Sequence, residues 1–348
     1  MAITIEGRIT GPTGAPIAGA SVHFYPRSDA LSPEFADFTH TDSMGQYTAH
    51  ILTGIYEIRV APGIDGLLEH AERVTFTRLS RRYDYRFGGH LVRGSIRDPL
   101  GNTLDSGHVS ASLKYGLYQT AGTRFHGGEY SLLLPSGTYV LRGASLERYS
   151  GLPVTETGAF SIRSDTTIHI DLGGHLVEGT VFDPDGAPMN DVLIEAYART
   201  RFLSARTMAD GRYRLWVHPD TYWFEFAPDD RNFSYIAPRV VGPLQVTAPR
   251  TLDQSLAGLE WTGTVSWRST GAPVADVFVG VWSDTRPGSS RAATVRTDPQ
   301  GAFRFVVQPE LTYSLATLYD GAASVRLDGL VSRTDTTFSI LLDQAPWP

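Results

Sequence analysis

An internal repeat that occurs four times constrains the fold more than any other feature of this 348-residue chain. Each copy opens with a short apolar segment that carries a glycine: TIEGRIT at Gly7, LVRGSIRD at Gly94, LVEGTVFD at Gly179 and EWTGTVSW at Gly263. These glycines are 87, 85 and 84 residues apart. Such a period indicates a row of similar domains rather than one large core.

A second pair of landmarks recurs inside every copy, within a segment that we interpret as a β-hairpin. A turn glycine comes first and a tyrosine follows 11, 11, 11 and 12 residues later: Gly45 and Tyr56, Gly128 and Tyr139, Gly211 and Tyr222, Gly301 and Tyr313. We expect the glycines to supply a positive φ, and the tyrosines to bury their rings with the hydroxyl at the sandwich edge. We therefore interpret these eight residues as structural markers of the repeat.

The fold predicted from these patterns is all-β. Apolar and polar residues alternate over short stretches separated by turn residues, which is typical of antiparallel sandwiches. We predict four tandem Ig-like antiparallel β-sandwich domains, at 1–88, 89–172, 173–257 and 258–348. Only two small residues join consecutive copies, so we expect an elongated, semi-rigid rod. For the stretch from Gly66 to Arg73 we predict at most a single helical turn.

The order of motifs resembles the carboxypeptidase regulatory-like domain. The shared pattern is a strand, a GAP turn, a small apolar strand, TD-x-x-G-x-Y and then L-P-x-G-x-Y. Copies one and four have the Thr-Asp pair, copy two has Phe125 and His126 there, and in copy three we identify only Asp210. The resemblance implies a seven-stranded transthyretin-like sandwich related to the Cna B-type repeats of bacterial surface proteins. Such modules serve as spacers, adhesin stalks and enzyme appendages.

Candidate chemical motifs have simpler structural explanations. His126 and Glu129 match a zinc-binding H-x-x-E string, but they lie on a turn that recurs in every copy, and the sequence offers no cluster of further zinc ligands. The segment from Asp183 to Gly186 is too short for a calcium loop and fits a β-turn. An isopeptide bond needs a lysine in each domain, and Lys114 is the only lysine. We predict no catalytic residue, no metal and no cofactor.

Composition restricts partners and location. The net charge of −7 offers no basic face, so we expect no nucleic acid partner, and no apolar run is long enough to span a membrane. The absence of cysteine leaves the redox compartment open. The N-terminal residues do not resemble a signal peptide, although we expect an extracellular or cell-surface location, with a virion as the alternative. Asn232 begins a formal glycosylation sequon.

One aromatic pair breaks the repeat pattern. If alternate residues of the third hairpin face the core, Trp216 and Trp223 face outward and lie opposite each other. Such a pair is suited to an interface or to stacking on a sugar ring, while coverage by a loop or a neighbouring domain is the plain alternative.

The leading functional hypothesis is a non-enzymatic structural protein. It would be an extracellular rod or stalk, or the repeating subunit of a surface fibre that associates head to tail or with other surface proteins. Two alternatives stay open: a carbohydrate-binding adhesin that uses the tryptophans of repeat three, and a phage tail spacer.

Overall fold

Alternation of apolar and polar residues produces strands that each bury one face. The computed structural model describes residues 2–27, 37–115, 120–228, 234–283, 293–320 and 324–343. Within these ranges every regular element is a strand; the first, third and fourth repeats form two sheets each, and the second forms three. The prediction of an all-β sandwich fold is confirmed. The stretch near Gly66 forms a turn, and a strand follows from His70.

The first repeat shows the common plan. Its strands are β1 (Ala2–Thr10), β2 (Ser21–Pro26), β3 (Asp37–His40), β4 (Gln46–Leu52), β5 (Gly54–Ala61), β6 (His70–Phe76) and β7 (Tyr85–Arg86). One sheet has the order β4-β1-β7, with β1 antiparallel to β4 and parallel to β7. The other has the order β3-β2-β5-β6, and all its pairs are antiparallel.

The second repeat follows the same plan with its first and last strands interrupted. Its strands are β8 (His90–Gly94), β9 (Ile96–Arg97), β10 (Ser106–Leu113), β11 (Thr120–His126), β12 (Tyr130–Leu134), β13 (Gly137–Ser145), β14 (Thr155–Glu156), β15 (Phe160–Ile162), β16 (Thr166–Thr167) and β17 (Ile170–Asp171). The sheet containing β8 has the order β12-β8-β16, and β9 pairs with β17. The other sheet has the order β11-β10-β13-β14, with β15 also on β13.

The third and fourth repeats complete the series. The third contains β18 (His175–Phe182), β19 (Leu193–Tyr197), β20 (Phe202–Arg206), β21 (Arg212–Val217), β22 (Asp220–Ala227), β23 (Arg239–Val246), β24 (Arg250–Thr251) and β25 (Gln254–Ser255). The fourth contains β26 (Leu259–Trp267), β27 (Phe278–Ser283), β28 (Ala293–Arg296), β29 (Ala302–Val307), β30 (Thr312–Leu318), β31 (Arg326–Val331) and β32 (Thr336–Leu342). Their sheets repeat the strand orders of the first repeat, as β21-β18-β24 with β20-β19-β22-β23, and β29-β26-β32 with β28-β27-β30-β31.

Buried apolar clusters fill the space between the two sheets in the first, third and fourth repeats. In the first repeat, Ile5 and Tyr47 of one sheet pack in the same buried cluster as Phe24 and Ile58 of the other. Comparable clusters fill the third and fourth repeats. These cores account for the inward-facing half of the alternating pattern.

The predicted hairpin is a crossing between sheets. The strands before and after the turn, β4 and β5 in the first repeat, belong to different sheets, and the other repeats agree. Outward-facing residues of these two strands therefore project from opposite faces of the sandwich. Interpreting this segment as a hairpin was wrong, because consecutive strands with a short connection were assumed to be hydrogen-bonded to each other.

The chain divides into two compact units. The first contains Met1–Glu147 and Pro153–Gly173, and the second contains Arg148–Leu152 and Gly174–Pro348. The short segment Arg148–Leu152 therefore packs with the unit that contains the third and fourth repeats. The three domain boundaries, after residues 88, 172 and 257, remain a prediction from the sequence.

Candidate functional site

The opening glycine of each repeat lies beneath an aromatic ring. Gly7, Gly94 and Gly179 are directly opposite Tyr47, Tyr130 and Tyr213 in the strand ladder, and Gly263 is opposite Phe303. The three tyrosine hydroxyls cross over and donate to the carbonyl oxygens of Tyr83, Ile168 and Leu252, each at 2.7 Å. A Cβ at Gly94 would lie 1.7 Å from the carbonyl oxygen of Ile168. Only glycine leaves room for this contact.

The predicted markers lie in the turn and in the core. Gly45, Gly128, Gly211 and Gly301 have φ angles of 72°, 88°, 75° and 72°. Tyr56, Tyr139, Tyr222 and Tyr313 are all fully buried. The Tyr139 hydroxyl donates to the carbonyl oxygen of Pro135 at 3.0 Å, and burial raises the pKa of Tyr139 to about 12. These positions are architectural in every repeat.

A buried threonine links the turn to the neighbouring strand in three repeats. The Thr41 hydroxyl donates to the carbonyl oxygen of Ile17 at 2.6 Å and accepts the N–H of Ala20 at 2.9 Å. Thr297 and Thr207 make the equivalent pairs of bonds. The expectation that repeat three has only Asp210 of this motif was therefore wrong. Thr207 has the role of Thr41. The match was missed in the sequence because Met208 stands where the first repeat has Asp42.

The turn aspartates act through backbone amides. Asp42 Oδ1 accepts the N–H groups of Met44 and Gln46, both at 2.8 Å. Asp183 Oδ1 accepts the N–H groups of Asp185 and Ala187 at 2.9 and 2.8 Å. The Asp183 segment is thus an Asx-type turn, as its sequence predicted, in place of a calcium loop.

Three bridging segments pair with sandwich edges through backbone hydrogen bonds. We define them as residues 66–69, 148–152 and 234–237. Each pairs with the two edge strands at the open side of one sandwich, one edge strand from each sheet. We call these strand pairs the receiving edges, and they are β11/β12, β20/β21 and β28/β29.

The first bridging segment lies within the first unit. The Gly66 N–H donates to the carbonyl oxygen of Gly122 on β11, and the Leu133 N–H of β12 donates to the carbonyl oxygen of Gly66, both at 2.7 Å. The Glu69 N–H adds a bond to Thr120 at 3.0 Å. Gly66 has a φ of +85°, so glycine suits this turn.

The second bridging segment lies within the second unit. The Gly151 N–H donates to the carbonyl oxygen of Ser204 at 3.1 Å, and the Trp216 N–H donates to the carbonyl oxygen of Gly151 at 2.7 Å. A Cβ at Gly151 would lie 2.3 Å from the carbonyl oxygen of Arg214. The Arg206 guanidinium lies over the Tyr149 ring at 4.7 Å and adds a side-chain contact.

The third bridging segment also lies within the second unit. The Thr294 N–H donates to the carbonyl oxygen of Ser234 at 3.1 Å, and the Val306 N–H donates to the carbonyl oxygen of Tyr235 at 2.8 Å. Ile236 is 2% exposed and joins the core of the third repeat together with Val306. The same two edge positions are therefore used in three repeats: Gly122, Ser204 and Thr294 on one strand, and Leu133, Trp216 and Val306 on the other.

At the corresponding edge of the first repeat, β3/β4, the described residues show one side chain, that of Asp37, bound to both strands. Register places Phe38 and His50 at the two equivalent positions. Asp37 Oδ1 accepts the N–H of Phe38 at 2.9 Å, and Asp37 Oδ2 accepts the N–H of His50 at 2.6 Å. One carboxylate thus holds the two edge strands together.

Trp216 and Trp223 do not form the predicted pair. Trp216 is on β21 opposite Leu176, and Trp223 is on β22 opposite Tyr197, so the two side chains belong to different sheets. Both are half-buried, and the Trp216 backbone contacts the second bridging segment. The prediction that the two tryptophans lie opposite each other was wrong, and the reason is the assumed hairpin. Asn232 lies outside the described residues.

An aromatic strip beside Asp37 was not predicted. His23 stacks on Tyr25 and on Phe38 with ring centroids 5.9 and 5.1 Å apart, and Phe38 meets His40 edge-on at 5.0 Å. Phe38 is 56% exposed. Burial, followed by the charges of His40 and Arg59, lowers the pKa of His23. The strip was missed because its residues come from two strands that do not share a sequence motif.

A second polar cluster connects β6 with the last strand of the first repeat. His70 Nε2 lies 3.1 Å from the Tyr83 hydroxyl and 3.3 Å from Glu72 Oε2, and the His70 ring stacks on Tyr85 at 3.7 Å. Burial lowers the pKa of His70, and the Glu72 carboxylate opposes that shift. Among the residues that the structure describes, no three His, Asp or Glu side chains converge as a metal site. The described part of the chain also has no helix that could span a membrane.

Comparison with known proteins gives similarities of structure only. No protein-family model matches the chain, and no curated protein matches it in sequence. The Bacillus anthracis TIE protein is 11% identical over 99% of this chain and 75% of its own, with a TM-score of 0.22. A streptococcal ancillary pilin is 13% identical over 73% of this chain and 99% of its own, with a TM-score of 0.22.

An enzyme also appears among the similar structures. The 3-chlorocatechol 1,2-dioxygenase from Rhodococcus opacus 1CP is 16% identical over 26% of this chain and 62% of its own, with a TM-score of 0.21. Similarities at such low identities and TM-scores support no statement about function. The fold described above rests on the sheets themselves.

Proposed function

We propose that this chain is a non-enzymatic structural protein in which backbone bridges couple successive β-sandwiches into a rod. It serves as an extracellular stalk or as the repeating subunit of a surface fibre. The observation that carries the proposal is the recurrence of the bridging contact at the same two edge positions of three receiving edges. A flexible tether needs no such contacts, whereas stiff coupling between domains does.

The bridges are suited to mechanical coupling because they use main-chain hydrogen bonds. Strand-edge pairing of this kind is the basis of β-augmentation, and it covers N–H and C=O groups that an open edge leaves unpaired. Ile236 adds a buried apolar contact to the third bridge. Bending at such a joint must break hydrogen bonds and expose apolar surface together.

Repeated polar residues support the non-enzymatic part of the proposal, because the aspartates and threonines of the turns and the tyrosines opposite the opening glycines have architectural partners. The turn aspartates cap amides, the buried threonines link loops to strands, and the tyrosine hydroxyls bind the carbonyls of the last strands. We assign the domains to the carboxypeptidase regulatory-like class on the strength of the sequence motifs, and we place the protein at the cell surface on the same ground. Its partners are then other copies of itself or other surface proteins.

Electron microscopy of the purified protein across a wide range of concentrations tests this proposal. Uniform narrow rods at low concentration, joined end to end at high concentration, are the expected result. Globular particles at every concentration would contradict it. Rods of fixed length that never join would be consistent with a stalk and would contradict the fibre subunit.

A further inference from the structure

In three repeats, one amide of the opening strand is capped by a side chain of the closing segment. We use this name for the chain that runs parallel to the opening strand of its repeat, which comprises residues 81–87, 165–172 and 250–256. The Arg8 N–H of the first repeat donates to Asp84 Oδ1, and the Thr180 N–H of the third donates to Asp253 Oδ1, both at 2.8 Å. Both amides directly follow an opening glycine. In these two repeats the cap is a carboxylate.

The second repeat has a histidine in place of the carboxylate. His169 Nδ1 lies 3.3 Å from the Ser95 amide nitrogen and 2.8 Å from Ser95 Oγ. His169 directly follows Ile168, whose carbonyl accepts the Tyr130 hydroxyl, and the two aspartates follow the corresponding carbonyls of their own repeats. His169 is therefore the structural equivalent of the two aspartates.

The geometry fixes the protonation state of the His169 ring. A main-chain N–H can only donate, so Nδ1 must be an unprotonated acceptor, and the proton of the neutral ring is on Nε2. The Ser95 hydroxyl then donates to the same nitrogen. A proton added to the ring must go to Nδ1, where it ends both bonds and faces the Ser95 N–H. Ser95 is 7% exposed, so water has little access to replace the lost acceptor.

We propose that His169 is a pH-sensitive cap, which releases the closing segment of the second repeat when its ring is protonated. Histidine changes its charge between about pH 5 and pH 8, whereas an ordinary aspartate titrates near pH ~3.9 and stays ionised over this range. In the fourth repeat the ladder between β26 and β32 is continuous from Trp261 to Trp267 instead. Mild acid therefore loosens the second sandwich, while the corresponding contact persists in the first and third.

The cap lies at a break in the strands of the second repeat. Ser95 is the residue between β8 and β9, and His169 lies in the gap between β16 and β17. Backbone bonds remain on either side of the break, from the Ile168 N–H to the Arg93 carbonyl and from the Ile170 N–H to the Ser95 carbonyl. Release of the cap therefore opens the ladder locally and does not unfold the whole sandwich.

Charged side chains share the outward face of the sheet with the imidazole. They come from every strand packed against it: Arg93 and Arg97 from the opening strand, Asp165 and Asp171 from the closing segment, and Glu129 at the start of β12. The arginines oppose a positive charge on the ring, and the carboxylates favour one. These charges move the pH at which the ring titrates, whereas the loss of both bonds on protonation follows from the geometry alone.

A local measurement is needed because the second repeat contains another histidine that responds to acid. Burial, followed by the charge of Arg124, lowers the pKa of His108. Unfolding of the whole repeat in acid would therefore combine the effects of His108 and His169. Amide exchange at Ser95 separates them, since His108 is on β10 in the other sheet.

Amide exchange in the full chain, followed by NMR, tests the proposal with controls in the same molecule. Protection factors, which correct for the intrinsic pH dependence of exchange, are compared for the Ser95, Arg8 and Thr180 amides at about pH 7.5 and about pH 5. We expect the protection of Ser95 to fall about tenfold in acid, and that of Arg8 and Thr180 to stay constant. A Ser95 protection that stays constant, or that falls no more than the other two, would overturn the proposal.

His169→Asp gives the second repeat the cap of the first and third. In this variant the Ser95 protection should be the same at both pH values, whereas His126→Gln, which removes an exposed histidine from the same repeat, should keep the tenfold fall. If His169→Asp does not fold, His169→Asn also provides an oxygen acceptor that does not titrate, and the same result is expected. A fall that persists in folded His169→Asp or His169→Asn would assign the acid response to another group and reject the cap.

Discussion

Gly94 lies directly opposite Tyr130 in the ladder between β8 and β12, and the tyrosine hydroxyl reaches past it to the carbonyl oxygen of Ile168 at 2.7 Å. With a single side chain, this contact ties β12, across β8, to the segment between β16 and β17. The first and third repeats have the same arrangement, and the fourth has Phe303 opposite Gly263. The opening glycine of a repeat and the tyrosine two residues after the turn glycine, such as Gly94 and Tyr130, therefore form one structural unit.

Gly94→Ala should destabilise the first unit strongly. The new Cβ would lie 1.7 Å from the Ile168 carbonyl oxygen, so the last strand must move, and we expect a loss of about 3 kcal/mol in the free energy of unfolding. Gly158→Ala is the control, since nothing lies within 4 Å of its Cβ position. Denaturant titration of both variants decides the matter, and equal stabilities would contradict the close contact.

Tyr130→Phe removes only the hydroxyl. It leaves the ring over Gly94 and deprives the Ile168 carbonyl of a donor, so we expect a loss of about 1 kcal/mol. The fourth repeat, with Phe303 at this position, indicates that the ring alone is compatible with the fold. The same titration measures this variant. A loss of stability as large as that of Gly94→Ala would contradict a contribution of one hydrogen bond.

The buried tyrosines predict a loss of stability at alkaline pH. Burial raises the pKa of Tyr139 to about 12, and burial raises the pKa values of Tyr47, Tyr130 and Tyr213 further. Unfolded tyrosine titrates near pH ~10, so the folded state holds these protons longer. The resulting stability is complete below about pH 10 and is lost as the pH rises through the folded values.

Unfolding at pH 8 and at pH 11 measures this effect, with tyrosinate absorbance recorded in parallel. We expect stability to fall over this interval and the absorbance to rise together with unfolding. A stability unchanged between the two pH values would contradict the burial of these hydroxyls. Tyr130→Phe should weaken the pH dependence because it removes one of the titrating groups.

Gly151→Ala tests the second bridge. Gly151 has a φ of +67°, and its Cβ would lie 2.3 Å from the Arg214 carbonyl oxygen, so alanine should force the segment off the receiving edge. Gly186→Ala is a matched control, because Gly186 has a φ of +88° with open space around it. We expect the control to cost about 1 kcal/mol of backbone strain. Faster amide exchange at Trp216 in Gly151→Ala alone is the expected signature, and equal exchange in both variants would argue against the bridge.

Thr207→Val tests the threonine that replaces Thr41 in the third repeat. Valine preserves the shape but leaves the Met189 carbonyl and the Val192 N–H without the hydroxyl, and we expect a loss of about 2 kcal/mol. Thr251→Val at an exposed strand position should change little. Calorimetric melting of both variants makes the comparison, and equal melting temperatures would contradict the assigned role.

Periodicity in the sequence predicted the sandwich fold well, because strand alternation and turn residues are local properties. Gly45 and Tyr56 could be recognised as structural for the same reason. The sequence could not predict that β4 and β5 enter different sheets, because a short connection fits both a hairpin and a crossing. The Trp216 and Trp223 prediction failed for that reason alone.

The bridging segments were beyond sequence reasoning for a different cause. Their contacts use backbone groups, so Gly151 and Tyr235 need share no side-chain motif to make the same bonds. Asp37 was equally hidden, since its partner N–H on His50 is defined only by the register of β4 on β1. Recognition by main-chain groups leaves little trace in a single sequence.

Small-angle X-ray scattering from the isolated chain at low concentration tests most directly whether backbone bridges make this protein a rod. Four sandwiches of about 35 Å each, coupled end to end, predict a radius of gyration of about 40 Å with the scattering of a stiff cylinder. A compact protein of this length would give about 20 Å. A value near the compact figure, or scattering typical of freely jointed domains, would contradict the account.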